Sequence, residues 1–208
     1  MAVLGVTGSL GCGKSTVARM FKKLGAVVFN ADRIAHRALY KGSFSYKKTV
    51  CVFGKNILNR DHSINRKKLA ALVFQNKTKL NSLIRIVYPC VIGRIKEQIR
   101  RCRVKNSKKI IVVDAPLLIE SGLYRQVDRV VVVFTAREKQ WSRVKVSGKL
   151  SPAHFKNRLK FQMPQQIKIK YADDVIDNSG TFKHTEKQVK ELWKKINKKG
   201  GKYERKSK

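Results

Sequence analysis

The sequence has 208 residues, 42% of them hydrophobic, which is enough for one α/β domain that buries a core and carries an insertion. Its formal net charge of +35 is compatible with nucleic-acid binding, with a substrate that carries several phosphates, or with a basic solvated surface. The four cysteines lack metal-ligand spacing, which excludes a Cys-metal centre. No apolar run reaches the roughly 18 residues of a membrane span, so we expect a cytoplasmic protein.

The first motif is the stretch from Gly8 to Ser15, which fits the phosphate-loop pattern G-x-x-x-x-G-K-[ST] and directly follows the apolar run from Ala2 to Thr7. Glycines let successive backbone N–H groups turn inward around phosphates, lysine reaches the β- and γ-phosphates, and the hydroxyl is offered to Mg²⁺. We expect the nucleotide phosphates to be bound by six consecutive residues: Gly11, Cys12, Gly13, Lys14, Ser15 and Thr16. An amphipathic helix follows and is predicted to end at Gly25.

A second buried strand is predicted at 26–29, followed by a helix from Arg33 to Tyr40 that includes His36. Asp32 stands between the two, at the carboxyl end of the strand, where α/β sheets bind their ligands. The same residue type also caps helices, so the pattern alone leaves both roles open for Asp32.

The region from Gly42 to about Lys109 reads as helices only, interrupted by Gly, Asn and Pro89. The predicted helices are 46–53, 66–74, 79–87 and 91–103. So many consecutive helices between two strands predict an insertion that covers the ligand edge of the sheet and shapes an acceptor site.

Three further strands are predicted, at 110–114, 129–134 and 174–177. The first ends in Asp114, which either holds the Mg²⁺ shell, orients Lys14, or caps the loop that follows. The basic segment from Glu138 to Gln162 predicts a helix–turn–helix lid that closes over the transferred phosphoryl group.

Together these elements predict a P-loop NTPase three-layer α/β sandwich, with a central parallel sheet of about five strands. We expect a single domain over 1–196, with its core at 1–40 and 106–196. The helical substrate-binding insertion is placed at about 41–105 and the lid at about 141–162. A Lys- and Gly-rich tail at 197–208 is predicted to be disordered.

Several ordered motifs beyond the phosphate loop make the chain resemble the dephospho-CoA kinase family over residues 3–196. The motifs that carry the resemblance are Ala31-Asp32-Arg33-Ile34-Ala35-His36, Phe53-Gly54, Arg66 with Leu69, Pro116-Leu117-Leu118 with Glu120, Gln140 with Arg143, Arg158 with Gln162, and Val175-Ile176-Asp177-Asn178-Ser179-Gly180. The phosphate loop alone indicates only a nucleotide, whereas this combination indicates one kinase family.

The resemblance implies transfer of the γ-phosphoryl group of ATP to the ribose 3′-hydroxyl of dephospho-CoA, with Mg²⁺ as cofactor, in the last step of coenzyme A synthesis. It implies that Asp32, Lys14 and Arg143 are catalytic and that Ser15 and Asp114 serve the metal. Asn178 is implied near the adenine of ATP. The acceptor-site positions implied by the family are Asp32, His36, Arg66, Pro116, Leu117, Leu118 and Glu120.

Four positions depart from the family pattern. Asn30 and Asn65 stand where the family usually has Asp, and Asp61-His62 replaces its Asp-Gly. Ser147 stands where the lid usually carries a second Arg, which Lys145 or Lys149 replaces only as a point charge without the planar guanidinium fork. We therefore expect weaker Mg²⁺ binding and reduced activity, but an active enzyme.

Two alternatives stay open at this point. A different P-loop kinase, acting on a nucleoside, a nucleotide or a small alcohol, would share the loop but not the acceptor motifs. A basic nucleic-acid-binding protein on a kinase fold is favoured only by the net charge of +35. The sequence does not determine the oligomeric state.

Overall fold

The hydrophobic runs of the chain assemble into one parallel sheet in a computed structural model that describes residues 1–105, 109–146 and 151–198. The strands are β1 (Val3–Thr7), β2 (Val27–Asn30), β3 (Ile111–Asp114), β4 (Arg129–Phe134) and β5 (Asp174–Asp177). Their order across the sheet is β2-β3-β1-β4-β5, and every neighbouring pair is parallel. This confirms the predicted α/β class with five strands.

The helices cover both faces of the sheet and form the region between β2 and β3. They are α1 (Lys14–Lys23), α2 (Ala31–Ala38), α3 (Phe44–Phe53), α4 (Arg66–Val73), α5 (Lys77–Lys105), α6 (Arg137–Val146), α7 (Pro152–Phe161), α8 (Gln165–Lys170) and α9 (Phe182–Lys198). Short 3₁₀ turns lie at Lys55–Ile57 and Leu123–Gln126. None of the described helices combines the length and the apolar character that a membrane span requires.

The two faces of the sheet are buried by different helices. Side chains of α1 and α9, such as Phe21 and Val189, pack on one face. Side chains of α2 and α5, such as Ala38 and Ile95, pack on the other. A third apolar cluster, built around Leu69 of α4, lies within the helices that precede β3. The sheet is therefore sandwiched between two layers of helices, as predicted.

Pro89 does not end a helix, so the prediction of two separate helices at 79–87 and 91–103 is wrong. The structure has one helix, α5, that continues through Pro89 from Lys77 to Lys105. A proline costs roughly 3 kcal/mol inside a helix because it lacks an N–H and crowds the preceding turn. The fully buried Val91 and Ile95 just beyond it show that packing of the apolar face offsets that cost.

Two segment boundaries bear on the sequence predictions. Helix α9 runs to Lys198, two residues into the segment predicted as tail, and residues 199–208 lie outside the described part of the chain. The segment predicted as a lid contains α6 and α7. Residues 147–150 between these helices, including Ser147 and Lys149, also lie outside the described part of the chain. The carboxyl ends of β1, β2 and β3 meet at one edge of the sheet, which positions the site.

Candidate active site

The phosphate loop turns between β1 and α1 through two left-handed glycines. Gly11 and Gly13 have φ angles of 81° and 82°. A Cβ at Gly13 would lie 2.1 Å from Asn178 Nδ2, and one at Gly11 would lie 2.6 Å from the carbonyl oxygen of Gln140. The loop therefore needs glycine both for its backbone angles and for the close approach of the elements behind it.

The loop is fixed by hydrogen bonds from side chains that directly follow β4 and β5. The carbonyl of Cys12 accepts hydrogen bonds from Asn178 Nδ2 at 2.8 Å and from Thr135 Oγ1 at 2.9 Å. Asn178 Oδ1 in turn accepts from Thr185 Oγ1 at 2.8 Å. Burial raises the pKa of the Cys12 thiol. The Asn178 side chain, expected near adenine, is thus bound to the loop and to α9.

The acidic end of β3 meets the lysine and the hydroxyl of the loop. Lys14 Nζ forms a salt bridge with Asp114 Oδ1, and Ser15 Oγ lies 3.4 Å from Asp114 Oδ2. Asn30 Nδ2 donates to Asp114 Oδ2 at 3.1 Å. Asp114 is only 3% exposed. Of the roles left open for this residue, orientation of Lys14 is the one that its contacts display.

Oxygen ligands at this position fit Mg²⁺. The ion prefers oxygen donors, keeps several waters, and is usually held by one or two carboxylates together with substrate phosphates. The hydroxyl of Ser15 is exposed to the cleft, and the Asp114 carboxylate stands directly behind it. The residues present therefore fit the ion: Ser15 and Asp114 would hold it, beside Lys14 and Asn30, which also contact the Asp114 carboxylate.

Asp32 occupies the first turn of α2, beside the loop and at the rim of a cavity. Loss of hydration in the cleft raises the pKa of its carboxyl, and the charge of Asp114 adds to this effect, whereas Lys14 opposes it. The cap of α2 is Asn30, whose Oδ1 accepts from Arg33 N at 2.8 Å. Asp32 is therefore not needed as the helix cap, which was the alternative that the sequence left open.

His36 lies one turn after Asp32 and faces the same cavity. Loss of hydration lowers its pKa, and the neighbouring Arg66 lowers it further, while Asp32 opposes the shift. The structure thus brings Asp32, His36 and Arg66, which the family resemblance implies at the acceptor site, together at the rim of one cavity. Below that rim the cavity is apolar.

The cavity beside Asp32 has a volume of about 200 Å³ and is enclosed by α2, α4 and α5. Its apolar lining consists of Ala35, Leu39, Leu69, Ala70, Val73, Phe74, Leu80, Leu83, Ile84, Val87, Tyr88 and Leu117. The guanidinium of Arg158, from the lid helix α7, stacks 5.0 Å from the centre of the Phe74 ring. An uncharged part of a substrate fits here, with cations at the entrance.

Of the four acceptor-site residues that the resemblance implies in the turn after β3, one lies in the lining of the cavity. Leu117 lines it, but Leu118 is fully buried in the core, and neither Glu120 nor Pro116 is part of the lining. Glu120 Oε1 accepts from Met163 N at 3.0 Å and pairs with Lys168 Nζ at 3.0 Å. Glu120 is thus bound by α8 and by the segment after α7 and does not line the cavity.

Lys168 of α8 is a functional candidate that sequence reasoning missed. Its side chain is 0% exposed, and its ammonium group also donates to the Pro116 carbonyl at 2.6 Å. Burial lowers its pKa, which the charge of Glu120 opposes. The stretch Gln165–Lys170 alternates lysine with apolar residues and reads as an exposed helix. Lys168 is distinguished only by its ion pair with the Glu120 carboxylate, and this pair becomes visible only once the fold is known.

Gln162, at the end of the predicted lid, and the adjoining Met163, which together we call the lid base, contact both the phosphate loop and the turn after β3. Gln162 Oε1 accepts from the Leu10 N–H of the phosphate loop at 3.0 Å, and the next residue, Met163, donates to Glu120. Gln162 was among the residues that carry the resemblance, but its side-chain partner was not foreseeable. The end of α7 is therefore attached to the donor loop on one side and to the turn after β3 on the other.

Arg143 of α6 points from the lid towards the loop. Its Nη2 donates to the Asn178 carbonyl at 2.8 Å, and its Nη1 lies 3.4 Å from Thr135 Oγ1. A Cβ placed on Gly13 would lie 3.4 Å from the same Nη1. Arg143 is thus next to the phosphate loop, whereas the lid position Ser147 is outside the described residues and Lys145 is exposed.

Comparison with known proteins agrees with this geometry. The family model for dephospho-CoA kinase matches residues 2–184. The dephospho-CoA kinase of Aquifex aeolicus is 40% identical over 196 residues, which are 94% of this chain and 98% of that protein. A solved structure from Thermus thermophilus matches with a TM-score of 0.77 at 27% identity, covering 94% of this chain and 97% of that one. The dephospho-CoA kinase from Campylobacter jejuni matches with a TM-score of 0.67 at 31% identity, covering 95% and 98%. The chain belongs to the dephospho-CoA kinase family.

Proposed function

We propose that this protein transfers the γ-phosphoryl group of ATP to the ribose 3′-hydroxyl of dephospho-CoA, giving coenzyme A and ADP. The observation that carries the proposal is the position of Asp32. It lies within the electrostatic reach of Lys14 of the phosphate loop and lines the apolar cavity with His36 and Arg66. One carboxylate therefore faces both the donor site and the acceptor site.

The donor half holds the phosphates of ATP. The loop from Gly11 to Thr16 would bind the phosphates through backbone N–H groups other than those of Cys12 and Thr16, which donate to the Ser9 and Gly13 carbonyls at 3.1 and 2.9 Å. Lys14 would leave or share Asp114 to contact the β- and γ-oxygens. Ser15 and Asp114 would hold Mg²⁺, which supplies charge neutralisation on the phosphate oxygens when bound. Asn178 and Thr135 keep the loop in shape by holding the Cys12 carbonyl.

The acceptor half orients the hydroxyl and removes its proton. Asp32 accepts the proton of the 3′-hydroxyl, and the raised pKa of its carboxyl makes it a better base than an exposed aspartate. His36 and Arg66 provide donors at the rim for oxygen atoms of dephospho-CoA. The apolar cavity accepts an uncharged part of the same molecule.

The lid supplies positive charge and excludes water. Arg143, beside the phosphate loop, stabilises charge that develops on the transferred phosphoryl group. Arg158 covers the acceptor cavity through its contact with Phe74. Attachment of the lid base to Leu10 and Glu120 sets the position from which α7 extends over both substrates.

This assignment gives each part of the chain a task. We treat residues 1–196 as one kinase domain in which α4 and α5, within the substrate-binding insertion at about 41–105, line the acceptor cavity together with α2. Helices α6 and α7 form the lid. The reaction belongs in the cytoplasm, where ATP is available.

An ADP-release assay tests the proposal, with dephospho-CoA offered beside adenosine, AMP and pantetheine as acceptors. We expect rapid release with dephospho-CoA and coenzyme A as product, identified by its mass. Equal release with all acceptors, or none with dephospho-CoA, would overturn the proposal. An Asp32→Asn variant assayed in parallel distinguishes transfer from hydrolysis of ATP by water.

A further inference from the structure

The amide of Asn30 bridges two structural elements at the metal side of the site. Asn30 ends β2 and lies in register beside Asp114 of β3. Its Oδ1 accepts from Arg33 N at 2.8 Å, and its Nδ2 donates to Asp114 Oδ2 at 3.1 Å. Because Oδ1 is fixed as the acceptor of a backbone N–H, the NH₂ group must be the side that faces Asp114.

The bond matters because Asp114 is buried. A carboxylate with little access to water requires donors on both oxygens, and Lys14 satisfies Oδ1 while Asn30 and Ser15 face Oδ2. The distance from Ser15 Oγ to Oδ2 is 3.4 Å, so Asn30, at 3.1 Å, is the nearer of the two partners of Oδ2. Protein groups alone therefore supply a donor to each oxygen of the Asp114 carboxylate.

We propose that Asn30 is a positioning residue that holds Asp114 in place without metal, so that the site binds Mg²⁺ only together with a nucleotide. This rests on the proposed function only in assigning the Mg²⁺ site to Ser15 and Asp114. An aspartate at position 30 would place a second carboxylate oxygen about 3 Å from Asp114 Oδ2. Two carboxylates that close repel each other unless a proton or a cation lies between them.

The role as helix cap alone makes the opposite prediction. Aspartate caps helices as well as asparagine does, and its charge at the first turn of α2 favours the helix dipole. If capping were the only role of Asn30, Asn30→Asp would leave the melting temperature unchanged or raise it, with or without Mg²⁺. The proposal requires Asn30→Asp to lower the melting temperature without metal, and Mg²⁺ to raise it again.

Thermal melts of the full chain in EDTA and in millimolar MgCl₂, both without nucleotide, separate the two. We expect wild-type protein to melt at the same temperature in both, and Asn30→Asp to melt about 2–4 °C lower in EDTA and to recover in MgCl₂. Asn76→Asp is the matched control, because Asn76 Oδ1 caps α5 by accepting from Thr78 N at 2.8 Å and lies on another element. It should show no dependence on Mg²⁺.

Mg²⁺ titrations of ADP release provide the second readout. Asn30→Asp should need less Mg²⁺ for half-maximal rate than wild type, and Asn30→Ser, which keeps a capping oxygen but loses the amide donor, should need more. Asn30→Asp with unchanged or raised stability in EDTA and no response to MgCl₂ would overturn the proposal. Equal Mg²⁺ requirements of Asn30→Ser and wild type would overturn it even if the Asp variant did not fold. The melts use no dephospho-CoA, so their result stands apart from the identity of the acceptor.

Discussion

The donor and acceptor halves of the site are built differently. Around the phosphate loop, polar groups are already paired: the Cys12 carbonyl with Asn178 and Thr135, and Asp114 with Lys14. The acceptor half is an apolar cavity whose polar side chains, Asp32 among them, stand at the rim and open to the cleft. The donor half is preformed, whereas the acceptor half leaves its polar groups for the substrate.

This difference has a physical reason. A phosphate loop must keep its N–H groups pointing inward when no anion is bound, so its carbonyls need fixed partners. A general base must instead keep its proton-accepting oxygen free of strong donors, or it would be a poor base. Lys168 and Glu120 lie between the two halves. The predictions below test this pair and each half in turn, beginning with the largest expected effect.

Lys168→Met should destabilise the protein by about 3–5 kcal/mol, because removal of one partner leaves the Glu120 carboxylate buried without its counter-charge. One oxygen of that carboxylate, Oε2, already has no hydrogen-bond partner among the described residues. Urea unfolding followed by circular dichroism measures the loss.

Two variants test whether the ion pair is the cause. Adding Glu120→Gln to Lys168→Met should restore most of the stability, since an amide tolerates burial better than an unpaired carboxylate. Lys170→Met, on the exposed side of the same helix, should change little. A Lys168→Met protein as stable as wild type would show that the buried ion pair does not stabilise the fold.

Ala70→Phe should affect the acceptor half alone. Ala70 lines the cavity of about 200 Å³, so the added ring would occupy the space meant for substrate. We expect KM for dephospho-CoA to rise about tenfold or more, with KM for ATP unchanged. Ala71→Phe places the same ring on the exposed side of α4 and is the control. Equal changes in both KM values would contradict the separation of the halves.

Asp32→Asn should raise the melting temperature slightly at neutral pH, because Asp32 is open to solvent at the cavity rim and screening reduces the effect. The folded-state pKa of Asp32 lies above its unfolded value, mainly because the cleft removes hydration. The stability linked to this group is thus fully present below the unfolded pKa and is lost as pH rises through the folded pKa. An amide removes that loss, so the advantage of the variant should be seen at neutral pH and vanish in acid.

Asp61→Asn is the matched control for the stability effect. Hydrogen bonds from Ser63 lower the pKa of Asp61, so its contribution is present above the unfolded pKa and is lost in acid. The same substitution should therefore lower, not raise, the melting temperature at neutral pH. If the melting temperatures of both variants shifted in the same direction, loss of hydration in the cleft would not be the cause of the effect at Asp32.

How far the sequence predicts this site follows from the same comparison. The phosphate loop is local in sequence, and its glycines indicate its backbone conformation directly, so its position between β1 and α1 was foreseeable, whereas its contacts with Asn178 and Gln162 were not. Asp32 was a candidate from its position at the end of a strand. That it shares one cavity with His36 and Arg66 was foreseeable only through the family resemblance, because the cavity is assembled from α2, α4 and α5.

The remaining differences come from long-range packing. Continuation of α5 through Pro89 depends on buried neighbours such as Val91 that local propensity does not include. The pairing of Lys168 with Glu120 joins residues 48 apart in the chain, and Asn178 supports the loop from the far end of the domain. Each of these required the sheet order and the lid base to be known.

The central claim is that Asp32 serves the acceptor half while the donor half binds ATP independently. The most direct measurement compares wild type and Asp32→Asn for ATP affinity, by calorimetry, and for kcat with dephospho-CoA. We predict an unchanged Kd for ATP and a fall in kcat of about 10²–10⁴-fold, the usual range for loss of a general base. Retention of most of the turnover, or a parallel loss of ATP binding, would contradict the account.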